Sequence, residues 1–329
     1  MTNEAIPYAL GINVSKAKLE AALLTPAGQL HAKSASNAPG GFEALLRWAE
    51  GLAGGTGSLR VCLEASGGSE QEAALYLHKA GVHVSMVNPR RTSAYAKSQL
   101  QRSKTDCTDA ALLARFSKRE EPSKWEPPTE EERALRQMTR GLESLKKERD
   151  RLNNQLGTAT NEAVADSLRT VIRTIQRQID ELKKQIDAHA QGCSKLARRR
   201  DLLETILGVG KFTATLVMAE RGEVSRFNSA RQAAAYAGLV PSHHRSGSSV
   251  HRRSRLSKVG SSRLRKALYF PAITALRCNE AIQAFGDRLA GRGKAEMVIM
   301  AAAMRKLLHI CYGVLKNDQP FDASLHPRT

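Results

Sequence analysis

"SKTDCTDAALLARF", residues 103–116, sets two carboxylates three residues apart where an apolar periodicity begins. Asp106 and Asp109 are followed by Leu112, Leu113 and Phe116, so the spacing predicts a helix carrying both acids on one face of its start. Two like charges so placed repel. Two physical reasons for keeping them stand open. The helix dipole favours acids in the first turn, and a divalent cation takes clustered hard oxygen ligands.

The segments on the N-terminal side of this stretch alternate strand and helix signals. "YALGINV" (8–14) is a short apolar run, and "KLEAALLTPAGQL" (18–30) reads as a strand ending in a Pro/Gly turn. "GGFEALLRWAEGLA" is an amphipathic helix, "LRVCLEASGG" a buried strand stopped by glycines, and "QEAALYLHKAG" a helix with a glycine C-cap. "VHVSMVNP" is one more strand. Residues 1–125 are therefore expected to form an α/β domain around a central sheet.

On the C-terminal side, "WEPPTEEERAL" is a boundary: two prolines break the chain, and Thr129 with Glu132 makes a capping box. Apolar residues then fall at Leu135, Met138, Leu142, Leu145, Leu152 and Leu156, with Arg149 at the skipped position. After "GTATNEA" the pattern resumes at Leu168, Ile172, Ile175, Ile179, Leu182 and Ile186. Heptad spacing on two heavily charged segments predicts a coiled-coil hairpin or dimerisation arm over 126–196. Its first helix would be roughly 35–40 Å long.

Residues 197–329 are expected to form a mostly helical unit. "LLETILGVGKFTATLVMAE" has a tight G-V-G turn between two helices. It reads equally as a helix-hairpin-helix, whose turn amides hold a phosphate, and as a packed helical corner. "HHRSGSSVHRRSRLSKVGSSRLRK" (243–266) holds Arg245, Arg252, Arg253, Arg255, Lys258, Arg263, Arg265 and Lys266 with no acid, among small Ser and Gly. This suits a loop that tracks a phosphate backbone.

Composition agrees with that reading. The chain of 329 residues carries a formal charge of +19, a field that favours polyanions, nucleic acid above all. Its five cysteines (62, 107, 193, 278, 311) are scattered and lack any CxxC, against a disulfide framework or a zinc site. No apolar run approaches the roughly 18 residues of a bilayer span. "MTNEAIPYALGINV" lacks the layout of a signal peptide. A cytoplasmic protein is expected.

"GINV", "CLEASGG" and "KTDCTDA" together resemble the carboxylate sites of a RuvC-like, RNase H-type nuclease domain. With the coiled coil, "ILGVGKFTATLVMAE", "AAYAGLVPS" and "RSGSSV" following in that order, the whole chain resembles the transposases of the insertion-sequence one-ten family, relatives of the Piv/MooV DNA invertases. The family pattern of Asp, Glu, Asp, Asp implies a Mg²⁺ site at position 13, Glu64, Asp106 and Asp109. Position 13 is Asn13, which keeps a carbonyl oxygen but loses a charge, so weaker metal affinity is expected.

The resemblance further implies a serine nucleophile, Ser246 in "RSGSSV", ahead of Ser248 and Ser249, giving a phosphoserine bond to DNA. Gly247 would let the backbone approach DNA closely, and His243 and His244 are candidates for proton transfer. It also implies donor and target DNA, a structured non-coding guide RNA, and a dimer or tetramer with composite sites. Two other functions fit the same residues: a RuvC-type junction nuclease using water, and a nucleic-acid-binding assembly silenced by Asn13.

Overall fold

The computed structural model describes residues 8–65, 67–100, 105–221, 227–246 and 250–323. They divide into two compact units, Met1–Pro127 and Pro128–Thr329.

The first unit is an α/β domain. Strand β1 (Tyr8–Val14), β2 (Lys18–Leu24) and β3 (Leu30–Ser36) form an antiparallel meander. After α1 (Pro39–Ala53), β4 (Leu59–Glu64) runs parallel beside β1; after α2 (Gln71–Lys79), β5 (His83–Val87) runs parallel beside β4. The sheet order is β3-β2-β1-β4-β5. The central strand β1 is buried on both faces through Ala9–Ile12, which is why it reads as a continuous apolar run. Leu10 and Ile12 join the core that Phe42, Leu45 and Ala49 of α1 and Ala73, Ala74 and Leu77 of α2 complete.

Helix α3 (Pro89–Ser98) and α4 (Asp106–Glu120) follow the last strand of this sheet. α4 packs onto the face of β1 that carries Ala9, Gly11 and Asn13. Ala114 clusters with Ala9, a Cβ on Gly11 would fall 2.1 Å from the carbonyl oxygen of Ala110, and Asn13 reaches Asp106. Side chains two apart on a strand and four apart on a helix repeat at nearly the same interval. Small residues at 9, 11, 110 and 114 thus let the two backbones approach closely. Leu113 and Phe116 pack with Cys62, Val87 and Tyr95 on the same face.

Two elements here escape the sequence pattern. β3 "LHAKSAS" is an edge strand with alternating exposed and half-buried residues, without an apolar run to announce it. α3 "PRRTSAYAKS" has little apolar content, but Asn88 caps it by accepting from the Arg90 amide and Pro89 stands at its first position. That Asn-Pro pair was a start signal available in the sequence.

In the second unit, α5 (Glu130–Leu156) and α6 (Glu162–Gly192) form a helical hairpin. α5 opens with the expected capping box of Thr129 and Glu132. Arg149, at the skipped heptad position, donates to Gln176 across the hairpin at 3.0 Å. The base of the hairpin does not stand apart: Leu135, Leu142, Ile179 and Ile186 belong to one core with Leu203, Val217, Leu264, Ala275 and Leu307. Half-buried or buried ion pairs reinforce that junction, Arg199 to Glu132 at 2.9 Å and Arg140 to Glu220 at 3.0 Å.

The rest of this unit comprises α7 (Ser194–Glu204), α8 (Lys211–Arg221), α9 (Ala230–Tyr236), the antiparallel pair β6 (Pro241–Ser246) and β7 (Val250–Leu256), α10 (Ser262–Ala267), α11 (Tyr269–Cys278), α12 (Glu280–Gly291) and α13 (Glu296–Asn317). α13 is long and apolar enough by length and composition to cross a bilayer, although Arg305 and Lys306 interrupt its apolar run. In this fold Ala303, Met304, Leu307, Leu308, Ile310, Cys311 and Val314 sit in the core. Parts of the basic stretch expected as a loop form the β6–β7 pair, and its end enters α10.

The Gly11 contact carries a direct test. Gly11→Ala should cost about 3 kcal/mol or more, because the clash is with helix backbone that cannot step aside. Both tryptophans, Trp48 and Trp125, lie in the first unit, so urea unfolding followed by tryptophan fluorescence reads that unit alone; an unchanged midpoint would contradict the packing.

Candidate active site

The candidate site residues of the first unit lie where β1, β4 and α4 end or begin. Parallel pairing sets Gly11 opposite Cys62 and Ile12 opposite Leu63. One residue further, Asn13 and Glu64 are neighbours at the C-terminal ends of adjacent strands, on the face that α4 covers. Thr105 caps α4 by accepting from the Thr108 amide, which makes Asp106 its first helical residue. The first turn therefore lies above Asn13, whose amide Nδ2 donates to Asp106 Oδ1 at 3.0 Å. The opposite amide orientation would set carbonyl oxygen against carboxylate and repel.

Glu64 is held from another side. The Thr92 hydroxyl, buried on α3, lies 2.5 Å from Glu64 Oε2 and 2.8 Å from the Pro89 carbonyl oxygen. It has one proton to give, and the charged carboxylate is the stronger acceptor. Thr92 is a site residue that the sequence reading missed, because α3 itself was missed. Asp109 is half-buried one turn along α4. It belongs to the stripe Asp106, Asp109, Leu113, Phe116, and the last two pack on Cys62, which puts Asp109 on the β4 side of the helix. Beneath Glu64, burial pushes the Cys62 thiol up to about 12; Arg91 offsets this in part and Glu64 adds to it. Cys62 stays a protonated thiol and is no nucleophile.

Among the described residues, no three His, Cys, Asp or Glu side chains stand close enough together to share an ion. The donors nevertheless fit a hard divalent cation in kind. They are all oxygens, three carboxylates and the Asn13 amide, directed to one face of the sheet. Two of the carboxylates have neutral partners in the fold, Asp106 the Asn13 amide and Glu64 the Thr92 hydroxyl.

In the second unit, Ser246 is the last residue of β6 and pairs with Val250. Of Ser246, Arg245, Arg252 and Arg253, and of His243 and His244, only the backbone is described; Gly247, Ser248 and Ser249 lie outside the described residues. Arg255, Lys258 and Lys266 are exposed. Two of the expected phosphate contacts have partners within the fold. Arg263 pairs with Glu143 at 2.8 Å, and Arg265 donates to the Ala237 carbonyl at 2.9 Å, where α9 ends. The G-V-G turn favours the packed-corner reading at its first glycine. Gly208 has φ +100°, and a Cβ there would lie 2.8 Å from the Ala275 Cβ of α11.

Comparison with known proteins defines the class. Residues 10–165 match the DEDD-type IS110 transposase model and residues 200–287 the model of the transposase IS116/IS110/IS902 family. The chain belongs to the IS110 family of transposases. It is 34% identical over 320 residues to the pilin gene-inverting protein of Moraxella lacunata, covering 96% of this chain and 98% of that one. It is 33% identical, with the same coverage, to the pilin gene-inverting protein of Moraxella bovis. The T. thermophilus RuvC solved with a Holliday junction substrate overlaps 36% of this chain and 98% of its own at 16% identity, but with a TM-score of 0.27, too loose to bear on the fold.

Asn13→Asp removes the donor to Asp106 and sets a like charge beside it. Metal-free stability should fall by about 1 kcal/mol at neutral pH. Repulsion raises the folded-state pKa of the pair, so the loss is present above the carboxylate range and disappears as pH falls through it. Mg²⁺ should reverse the sign. Tryptophan-detected melts at pH near 7 and near 4, with and without Mg²⁺, check all three statements.

Proposed function

We propose that this transposase-family enzyme cuts and exchanges DNA strands through a covalent phosphoserine on Ser246, with Mg²⁺ held by Asn13, Glu64, Asp106 and Asp109. The observation that carries this reading is the meeting of Asn13 and Asp106 at 3.0 Å beside Glu64, at the ends of two adjacent parallel strands. A mixed five-stranded sheet with acids at those positions supports an RNase H-type domain. The names of the Moraxella relatives, pilin gene-inverting proteins, support strand exchange over simple hydrolysis.

In the proposed step the Ser246 oxygen bonds to phosphorus as the bond from phosphorus to the DNA 3′-oxygen breaks. The serine proton ends on that oxygen, leaving a phosphoserine and a free 3′-hydroxyl. Attack by a 3′-hydroxyl of another strand reverses the bonds and returns the proton to Ser246. One phosphodiester replaces another, so no external energy source is consumed. Mg²⁺, when bound, offsets charge on the non-bridging oxygens. The chain's own part is to hold the DNA phosphates along the basic β6–β7 ribbon, with Arg255, Lys258 and Lys266 exposed nearby.

A guide RNA fits the +19 charge, and base pairing would then choose the sequence while the protein reads backbone and shape. Assembly of several chains is supported by the outer half of α6. There Val164 and Val171 are 51% and 46% exposed, and Leu168 and Ile172 are half-buried. Ile175 and Leu182, by contrast, pack against the chain's own core.

Ser246→Ala should abolish covalent attachment and strand cleavage on a nicked or duplex DNA substrate while leaving gel-shift binding intact. Covalent product retained in that variant would move the role to Ser248 or Ser249. Cleavage retained without any covalent product would favour a water-using nuclease, and binding without cleavage by the parent would favour a silenced assembly. For the oligomer, Val164→Glu with Val171→Glu should lower the mass seen by light scattering without lowering the melting temperature. An unchanged mass would place the association elsewhere.

A further inference from the structure

We infer that Glu20 is a further ligand of the metal site and supplies the carboxylate that position 13 lacks; the inference rests on the metal-dependent reading above. In the antiparallel pairing of β1 with β2, Glu20 is the direct partner of Asn13. Side chains so paired share a face, with Cβ atoms about 5 Å apart. Glu64 flanks Asn13 on the other neighbouring strand, one residue past the Ile12–Leu63 pair. Glu20, Asn13 and Glu64 therefore form a row across three strands, on the face that receives the start of α4.

The same helix turn reaches Glu20 directly. Cys107, the residue after Asp106, has its Sγ 3.9 Å from Glu20 Oε2, and the Ser34 hydroxyl of β3 donates to the same oxygen. An ion seated over Asn13 would have Asp106 above it and a glutamate arm on each side. Glu20 also restores the count: with Glu64, Asp106 and Asp109 it makes four carboxylates on the elements that meet at Asn13.

Packing by itself does not call for an acid at this position. A glutamine carbonyl would also accept from Ser34 and Cys107, though less strongly than a carboxylate, and it would not repel Asp106. A cation among these groups would offset that repulsion and give the charge at position 20 a further use.

The test is a Mn²⁺ titration of the full-length protein, followed by loss of the free-ion paramagnetic resonance signal, with Mg²⁺-dependent melts alongside. The parent should take up Mn²⁺. Glu20→Gln should melt within about 2 °C of the parent without metal, yet bind Mn²⁺ roughly tenfold more weakly and lose most of the Mg²⁺-dependent shift. Asn13→Asp added to Glu20→Gln should restore both. Ser34→Ala, which removes a hydrogen-bond partner but no ligand, should leave Mn²⁺ binding as it is. Parent-like Mn²⁺ affinity in Glu20→Gln overturns the role of Glu20 and leaves the metal reading standing; a folded parent that takes up no Mn²⁺ overturns both. Should Glu20→Gln fail to fold, Glu20→Asp decides: weaker Mn²⁺ binding there supports the assignment, and parent-like binding with the shortened arm overturns it.

Discussion

The approach of α4 to β1 over Gly11 is the contact on which the first unit depends. With no side chain at position 11, the Ala110 carbonyl and Ala114 amide descend almost onto the strand. That depth fixes the position of the whole helix, and with it the height of Asp106 above Asn13. A site assembled from a strand end and a helix start is only as well defined as the packing between them. Here the packing is backbone against backbone, which has little freedom to adjust.

The carboxylates that the packing brings together must also be kept from unfolding it. Each has a local partner: Asp106 has the Asn13 amide, Glu64 has Thr92, and Glu20 has Ser34 and Cys107. These hydrogen bonds satisfy the carboxylates within the fold; under the proposed function, a bound cation would take over part of that role. Asn13 bears on both. Its amide gives Asp106 a neutral partner where an aspartate would repel it, and under the proposed function the same missing charge would weaken the hold on an ion.

The second unit solves a different problem. A long charged helical hairpin has too narrow an apolar seam to hold its own direction, and here its base is set into a helical core. Arg199–Glu132 and Arg140–Glu220 cross that junction with both acids nearly buried. Such pairs are costly to break from one side, since the remaining charge is left without a partner in a low-dielectric setting. Toward the tip, the apolar stripe of α6 is left partly open.

Much of this was legible in the sequence. The strands β1 and β4, the helix beginning at Asp106, the Thr129 capping box and the heptads of α5 and α6 are all written in local periodicity and capping residues, which act over a few positions. The elements that were not legible lack such periodicity: the polar edge strand β3, and α3, whose Asn-Pro start stands before a run with few apolar residues. The basic stretch read as a loop because its small polar residues resemble one, whereas cross-strand pairing makes a ribbon of parts of it. The resemblance to the family, carried by the order of its motifs, implied Asn13, Glu64, Asp106 and Asp109 as one group. It could not show that Thr92 touches Glu64, that Glu20 lies opposite Asn13, or that Arg263 and Arg265 are taken up by Glu143 and the Ala237 carbonyl. Those are relations of register and packing between segments far apart in the chain, and only the tertiary fold sets which residues stand opposite one another.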